Sequence, residues 1–306
     1  MKLTYHEGQN FGDALNPLIF KKLFPDFFDD DERILFIGIG SILGLKKGTE
    51  RTERRIYFSS GFAADAPSTY GTLPELRGTD DVICVRGPLT AKALGLPASK
   101  AIADGAILIK PLFPLERTET VTPFAYMPHI GSFKFFNDWK GLLVELGIAL
   151  IDPRDEPMSI LQQLQGTGVL LTEAMHGAIV ADAMGVPWIP VVCYDTINAF
   201  KWQDFTSSMG LSYTPQRVPP LFDRDFVGLM VKNKMKGIGL VPLERIATRS
   251  YAAYQQGIVR GRVARAFEKI LGIRPELSDR AILDQRISAL LDRADHVRST
   301  YGRPMA

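Results

Sequence analysis

The chain has 306 residues, a hydrophobic fraction of 46% and a formal net charge of +2 at pH 7. This length can build one large or two ordinary domains with their own cores, and so small a charge does not favour a general nucleic-acid binder. The two cysteines, Cys84 and Cys193, are typical of a reducing compartment and exclude a disulfide scaffold or a Cys-based zinc cluster. The N-terminus lacks the apolar core of a secretory signal, and no apolar run reaches the roughly 18 residues of a membrane span. We therefore expect a cytoplasmic protein.

Short apolar runs alternate with helical patterns along the first two thirds of the chain. Their nearly continuous hydrophobicity is typical of parallel strands that are buried on both faces, and the helical intervals PLTAKALGLP and MSILQQLQG suit right-handed crossovers. The sequence therefore predicts an α/β fold. The predicted strands are KLTYH, ILFIGIG, RIYFSSG, VICVRG, PFAYMPH, IALIDP, VLLTEA and PWIPVV, with a weaker one in AIADGAILI.

Two breaks in this alternation predict the domain organisation. Three prolines lie between Lys110 and Pro123, where no periodicity is visible, so we expect a linker there between two α/β halves. After about Asp223 the strand pattern gives way to long helical patterns. The expected parts are a first domain over residues 1–115, a second over 120–222 and a helical, basic C-terminal extension over 223–306.

Ligands of open α/β sheets bind beyond the carboxyl ends of the strands, and Arg86 lies at such an end. It precedes Gly87 and Pro88, and the proline suits the first turn of a helix. A helix N-terminus and a guanidinium fork both favour an anion, which indicates a phosphate or carboxylate site. The alternative is a salt bridge from Arg86 to an acid such as Asp104.

Glu173 and His176 lie in a second such turn, between the strand VLLTEA and the helix AIVADAMG. Histidine can give and take a proton near neutral pH; in the alternative interpretation it only bonds the backbone in a tight turn. Near the N-terminus, Asp13 and Asn16 either face the site or only cap and brace a helix. No nucleophile elbow, metal-ligand cluster or Walker loop occurs.

The glycines after the strand ILFI do not have the spacing of the dinucleotide fingerprint. Gly38 and Gly40 permit either close approach of a ligand to the backbone or a tight turn. Both interpretations remain open at this point.

Six motifs stand in a fixed order along the same part of the chain. They are NFGDAL, GIGS, VRGPLT, IADGA, MHGAIVADAMGVP and FKWQDF. In order and spacing they resemble the polysaccharide pyruvyl transferase family, and most closely the bacterial exopolysaccharide ketal-pyruvyl transferases of the succinoglycan type. The resemblance spans about Tyr5 to Phe205.

The resemblance implies two Rossmann-like domains that face each other across a cleft, as in GT-B glycosyltransferases, with no metal and no cofactor. It implies phosphoenolpyruvate as the donor co-substrate and a terminal hexose of a lipid-linked oligosaccharide or polysaccharide as the acceptor. Two sugar hydroxyls, typically O4 and O6, are joined to pyruvate as a ketal. The family's histidine corresponds to His176, and its arginine after a strand of the first domain corresponds to Arg86.

One position departs from the family pattern. The family's Arg-Leu-His-Gly element reads Ala-Met-His-Gly from Ala174 to Gly177, so its arginine is missing. Phosphoenolpyruvate carries a phosphate and a carboxylate, which one arginine and one helix N-terminus hardly balance. We expect Lys201, in FKWQDF, to complete the cationic site together with Arg86.

The expected reaction needs an acid at the donor's C3 and a base at the sugar hydroxyls. His176 is the expected acid and Asp13 or Glu173 the base, with His129, in the loop PHIGS, as a second proton carrier. Backbone N–H groups of the loop from Gly38 to Ser41, or of the turn at His176, are expected to assist. The expected substrate-binding residues are Arg86, Lys201, Asn16, Gly40, Ser41, Ser132 and Gly177.

The C-terminal part carries the basic surplus of the chain. From Leu221 to the end there are 16 Lys and Arg residues against 9 Asp and Glu residues. Basic and apolar residues in this mixture suit peripheral contact with an anionic membrane surface. A helical cap packed on the core, with a solvated basic face, explains the pattern equally well.

Two other functions remain open from the sequence. A glycosyltransferase of the same architecture would bind a nucleotide sugar in place of phosphoenolpyruvate. A non-catalytic oligosaccharide-binding assembly protein would bind the acceptor without releasing phosphate, and the missing arginine leaves room for it. The sequence does not indicate an oligomeric state.

Overall fold

The computed structural model describes residues 1–44, 51–63, 73–113, 119–237 and 244–302. Within these residues the chain forms nine strands and eleven α-helices. The strands are β1 Lys2–Thr4, β2 Ile34–Ile37, β3 Arg54–Ser60, β4 Asp81–Val85, β5 Thr122–Met127, β6 Ala149–Leu150, β7 Thr167–Thr172, β8 Trp188–Val192 and β9 Gln216–Arg217. The helices are α1 Phe11–Leu23, α2 Pro88–Ala93, α3 Ile109–Leu112, α4 Trp139–Val144, α5 Pro157–Gln165, α6 Met175–Ala183, α7 Ala199–Ser208, α8 Arg224–Gly237, α9 Glu244–Tyr254, α10 Arg260–Ile270 and α11 Arg280–Tyr301.

The strands form two separate parallel sheets. The first has the order β1-β2-β3-β4 and the second has the order β6-β5-β7-β8-β9, and every pair of neighbours is parallel. Their central strands are apolar on both faces, as the successive residues Phe36 and Ile37 in the first sheet and Leu170 and Leu171 in the second are fully buried. The predicted α/β fold with two Rossmann-like halves is confirmed. The edge strand β9 was not predicted, because its two polar residues carry no apolar pattern.

The prediction of a weaker strand in AIADGAILI is wrong. Residues Gly105–Leu108 form a 3₁₀ turn that runs directly into α3. Asp104 caps this turn, since its Oδ1 accepts a hydrogen bond of 3.0 Å from the backbone N–H of Ala106. A side-chain cap of this kind gives the backbone an alternative to a sheet ladder. Only Ala101 pairs with the sheet, through an isolated bridge to Val85.

The C-terminal helices are confirmed, and they contribute to both cores. Val263 and Phe267 of α10 are buried in the core of the second sheet. The last helix, α11, instead buries Leu283 and Leu290 in the core that includes the first sheet. At its end, Arg298 donates a hydrogen bond of 2.6 Å to the carbonyl of Leu23. The chain thus returns to its first half.

The domain boundaries drawn from the sequence stay a prediction. Residues 114–118 of the predicted linker lie outside the described residues. In the described part of the chain, every helix is too short or too polar to cross a lipid bilayer.

Candidate active site between the two sheets

Helix α6 of the second half packs against α1 and against the 3₁₀ turn Gly105–Leu108 of the first half. These elements follow the carboxyl ends of β7 and of the strands of the first sheet, where ligands of open α/β sheets bind. The second residue of α6 is His176. The histidine singled out by the sequence therefore lies where the two halves meet.

The His176 imidazole lies between two groups of the first half. Its Nε2 atom is 3.7 Å from Oδ2 of Asp104, and its side chain is 16% exposed. On its other side the ring packs on Gly12, where a Cβ atom would lie 2.0 Å from Nδ1. Any side chain at position 12 would displace the ring. The glycine of NFGDAL thus provides the space that His176 occupies.

Glu173 lies in the turn after β7 and is fully buried. Its carboxylate accepts hydrogen bonds from Oγ of Ser132 (2.6 Å), the N–H of Cys193 (2.8 Å) and the N–H of His129 (3.2 Å). Burial raises the pKa of Glu173 above its ordinary value, and these hydrogen bonds oppose the rise. The carboxylate therefore joins the ends of β5, β7 and β8. Because the Ser132 hydroxyl donates its hydrogen to Glu173, that hydrogen is not available to a ligand.

Arg86 is fully buried at the end of β4. Its Nε atom donates to Oδ2 of Asp204 at 3.1 Å, Nη1 donates to Oγ of Ser41 at 3.1 Å, and Nη2 donates to the carbonyl of Phe62 at 2.9 Å. The salt-bridge alternative considered for Arg86 is thus realised, but with Asp204 of the second half in place of Asp104. Among the described residues, the Ser41 hydroxyl is the one half-buried group that hydrogen-bonds to Arg86.

Asp204 also occupies the N-terminus of α2. Its Oδ1 accepts from the backbone N–H groups of Leu89 (2.9 Å) and Thr90 (3.0 Å), and its Oδ2 accepts from Oγ1 of Thr90. Because a helix N-terminus favours a negative charge, the anion expected at this turn is a carboxylate of the protein itself. It comes from α7 and holds that helix against the first half.

Lys201 lies one turn before Asp204 on α7 and is half-buried. Among the described residues, its ammonium forms no ion pair within 4.0 Å. Burial and the charge of Arg86 lower its pKa to about 8, and the carboxylate of Asp13 opposes this shift. The charges of Asp13 and Lys201 therefore interact across the two halves. These residues belong to the first and the last of the six motifs, and the sequence predicted that they share one site.

His129 is neutral near pH 7. Burial, the charge of Lys201 and the charge of Lys134 lower its pKa to about 4. Its Nδ1 accepts a hydrogen bond of 3.0 Å from the N–H of Gly131, which fixes the ring at the start of the following turn. The structure thus brings Lys201 close enough to His129 for the ammonium charge to lower the pKa of the imidazole.

The N-terminal half of α1 contributes two polar side chains. Asp13 is half-buried and accepts a hydrogen bond of 2.7 Å from Nδ2 of Asn10. Asn16 is fully buried, and its Nδ2 donates to the carbonyls of Asp13 and Ile39 at 3.1 Å each. Asn16 thereby braces the loop after β2 against α1. Its Oδ1 accepts no hydrogen bond from the described residues.

Gly40 and Gly177, the two glycines predicted to bind substrate, each have a structural reason, and the two reasons differ. Gly40 adopts a φ of +136°, a conformation that side chains disfavour. At Gly177 a Cβ atom would lie 2.6 Å from Sδ of Met127, so the glycine lets α6 pack closely against β5. Neither observation by itself indicates contact with a ligand.

Two acidic partners in the site were missed by sequence reasoning. Asp104 was considered only as a partner for Arg86, although it faces His176, and Asp204 was not considered at all. Arg154, after β6, is a further cation near this edge, but it forms an ion pair with Asp152 and stacks on Phe133. The signal that could have found them is that each of the motifs IADGA and FKWQDF contains one acid, Asp104 and Asp204 respectively.

Comparison with known proteins agrees with the motifs. The model of the polysaccharide pyruvyl transferase family matches residues 54–195. Succinoglycan biosynthesis protein ExoV of Rhizobium meliloti (strain 1021) is 34% identical over 226 residues, which cover 72% of this chain and 68% of that protein. The chain belongs to the polysaccharide pyruvyl transferase family. Membership in this family implies a transferase.

A solved structure, that of a functional uncharacterized protein, KP1_0663 from Klebsiella pneumoniae subsp. pneumoniae NTUH-K2044, is more distant. It is 15% identical, covers 70% of this chain and 91% of its own, and superposes with a TM-score of 0.37.

The region matched by the pyruvyl transferase family model includes Arg86, His129, Glu173 and His176. Asp13 and Lys201 lie outside it.

The buried Arg86–Asp204 pair gives a test of how the halves are held together. Asp204→Ala leaves a guanidinium buried without its counter-charge, so we expect the free energy of unfolding to fall by about 3–5 kcal/mol. Urea unfolding followed by circular dichroism measures the change. Asp195→Ala, which removes a fully exposed ion pair with Arg217, serves as the control and should leave stability nearly unchanged. Equal effects of the two substitutions would contradict the assignment.

Proposed function

We propose that this protein transfers pyruvate from phosphoenolpyruvate to a terminal hexose of an exopolysaccharide repeat unit, where two hydroxyls of the sugar form the ketal. The family membership supports the transfer, and the relative named for succinoglycan biosynthesis supports the exopolysaccharide acceptor. The observation that carries the proposal is the interaction between the charges of Lys201 and Asp13 across the two halves, with Asp13 next in sequence to the Gly12 on which His176 packs. These groups supply a cation, a base and an acid at one place.

Lys201 is the proposed principal cation for the donor. The family arginine is replaced by Ala174, and the Arg86 guanidinium is already paired with Asp204. Arg86 can still act through Ser41, because the Ser41 Oγ accepts its hydrogen bond and keeps its own O–H free to donate to a phosphate or carboxylate oxygen. Backbone N–H groups of the loop from Gly38 to Ser41 add further donors.

In the proposed reaction His176 donates a proton to C3 of phosphoenolpyruvate, and C2 becomes electrophilic. One sugar hydroxyl adds to C2 and loses its proton to a base, and the C2–O bond to phosphate then breaks with its electron pair. The second hydroxyl adds to C2 and gives up its proton, which completes the ketal. The two hydroxyl protons replace the proton given to C3 and protonate the leaving phosphate.

Asp13 is the better candidate for the base than Glu173. All hydrogen bonds of the Glu173 carboxylate go to buried protein donors that fix three strand ends, whereas Asp13 is half-buried beside Lys201. His129 stays the second candidate for a proton carrier, but it is a weak base, because its pKa is lowered to about 4 and its Nδ1 already accepts the hydrogen bond of the Gly131 N–H. Gly40, Gly177, Asn16 and Ser132 are proposed to shape the site rather than to react.

The acceptor in this proposal is lipid-linked, and helices α8 and α9 are the proposed membrane contact. They pack on each other, yet Leu229 and Ile246 remain 56% and 66% exposed. Lys232, Lys234 and Lys236 are exposed on the same pair of helices. Exposed apolar and basic side chains together favour the surface of an anionic bilayer.

Phosphate release from phosphoenolpyruvate, measured with glycolipid acceptors, tests the function. His176→Ala should lose about 100-fold or more of its turnover, which is typical when a general acid is removed, and should keep its thermal shift with phosphoenolpyruvate. His296→Ala, at an exposed position on α11, is the matched control. Stabilisation by UDP-sugars with no response to phosphoenolpyruvate would favour a glycosyltransferase instead, and acceptor binding without phosphate release would favour an assembly protein.

The pKa of Lys201 predicts how donor capture depends on pH. The amine is charged below about pH 8 and neutral above it, so kcat/KM for phosphoenolpyruvate should fall as the pH rises through this value. In Lys201→Arg the fall should move to higher pH, because a guanidinium keeps its charge. Lys201→Met should have a low kcat/KM throughout, and Lys140→Met, at an exposed site on α4, should match the wild type. An unchanged affinity of Lys201→Met would refute the role.

Co-sedimentation with vesicles tests the membrane contact. The wild type should sediment with vesicles rich in anionic lipid and stay in solution with zwitterionic ones. The double variant Ile246→Asp and Lys234→Glu should stay in solution with both. Val121→Asp, at an 81% exposed apolar residue outside this surface, should behave as the wild type. Substitutions are preferable to truncation after Asp223, since α10 and α11 complete the cores.

A further inference from the structure

Two buried polar atoms face each other between the halves without a hydrogen bond. They are Oδ2 of Asp104 and Nε2 of His176, which lie 3.7 Å apart. Neither atom has a hydrogen-bond partner among the described residues. A buried polar group without a partner is unfavourable by about 1–3 kcal/mol, and catalytic hydrogen bonds are often long before substrate binds. A shift of less than 1 Å, about the excess over an ordinary hydrogen bond, would satisfy both atoms.

The position of Asp104 is fixed independently of His176. Its other oxygen, Oδ1, caps the 3₁₀ turn through the N–H of Ala106. The next residue, Gly105, packs so closely on Ser59 that a Cβ atom there would lie 2.4 Å from the Ser59 Oγ. Ser59 itself adopts a φ of +63°, which is uncommon for a residue with a side chain. The second carboxylate oxygen is therefore held in the interface by its surroundings.

The ring of His176 is restrained on the opposite side. Nδ1 lies against the backbone of Gly12, in the first turn of α1. The same turn carries Asp13, whose carboxylate interacts with the charge of Lys201. Of the two ring nitrogens, Nδ1 thus lies against the turn of α1 that carries Asp13, and Nε2 faces Asp104.

We propose that Asp104 is a positioning residue for His176. Its Oδ2 accepts the hydrogen bond of Nε2–H, which orients the imidazole and leaves Nδ1 as the atom that exchanges a proton with the substrate. The role rests on the proposed pyruvyl transfer for its catalytic meaning. The pairing itself is a property of the resting protein.

The pairing sets where each proton resides during transfer. The doubly protonated imidazolium keeps Nε2–H on Asp104 and gives the Nδ1 proton to C3 of the donor. The neutral ring that results carries its hydrogen on Nε2, and Nδ1 is free to take up one of the protons released by the sugar hydroxyls. The carboxylate of Asp104 supplies the counter-charge of the imidazolium.

The substitution Asp104→Asn reverses the polarity of this contact and keeps the rest. The amide oxygen can still cap Ala106, whereas the amide nitrogen takes the place of Oδ2 and donates to Nε2. The neutral imidazole must then carry its hydrogen on Nδ1. The expected result is an Nε2–H tautomer of His176 in the wild type and an Nδ1–H tautomer in the variant.

Nitrogen-15 NMR of protein labelled at histidine, recorded where the ring is neutral, distinguishes the two tautomers. The chain has four histidines, and His176→Gln identifies the signal. Asp182→Asn is the matched control: this buried carboxylate on α6 accepts from Ser278 and Trp188, so its loss should lower thermal stability without changing the tautomer. A wild-type Nδ1–H tautomer, or the same tautomer in wild type and Asp104→Asn, would overturn the proposal.

Kinetics gives a second readout of the same variant. Asp104→Asn should lower kcat by about 100-fold, which is the range of an acid–base contribution, and leave the KM for phosphoenolpyruvate within about threefold of the wild type, because Asp104 does not bind the donor. A rise in KM with unchanged kcat would contradict a positioning role. If the wild type does not act on phosphoenolpyruvate at all, the proposed function fails, and the tautomers still decide whether Asp104 holds His176.

Discussion

The arrangement of the site depends on one buried charge. The Arg86 guanidinium is fully enclosed at the end of β4, and a buried cation is tolerated only with a counter-charge and satisfied hydrogen bonds. Asp204 of α7 supplies the counter-charge, and the Ser41 hydroxyl and the Phe62 carbonyl accept the remaining hydrogen bonds. Asp204 also accepts the free N–H groups at the start of α2. Residues three apart on a helix share a face. The contact that anchors Asp204 therefore also turns Lys201 towards the first half, where its charge interacts with that of Asp13.

This use of Arg86 changes how charge is distributed over the proposed donor site. The guanidinium charge is offset by Asp204, and the arginine expected before His176 is Ala174. Lys201 is then the cation with an uncommitted charge, and its lowered pKa reflects burial and the nearby Arg86 without a full counter-ion. An anion that binds there would add an opposite charge, which raises the pKa of Lys201 again. Such a site favours an anionic donor over a neutral ligand.

Local sequence patterns predicted the strands and the turn that carries His176, because burial on both faces produces continuous apolar runs. They failed in AIADGAILI, where the Asp104 cap overrides the apolar pattern. At Arg86 the structure shows the salt-bridge alternative, with the Asp204 carboxylate as the anion at this turn. Its source could not be predicted, because Asp204 lies 118 positions away and only the packing of α7 on α2 brings them together. The Asp104 contact with His176 was missed for the same reason.

His176 belongs to the second half by sequence, but the groups that position its ring, Gly12 and Asp104, belong to the first. An acid assembled in this way is correctly oriented only while the halves stay in contact. The Arg86–Asp204 pair resists separation, because opening would leave a desolvated guanidinium without its carboxylate. We infer that the site is largely formed before substrate binds. In the proposed reaction, donor binding energy is then not consumed in bringing the halves together, and the fixed dipoles and charges need little reorganisation when charge develops at C2.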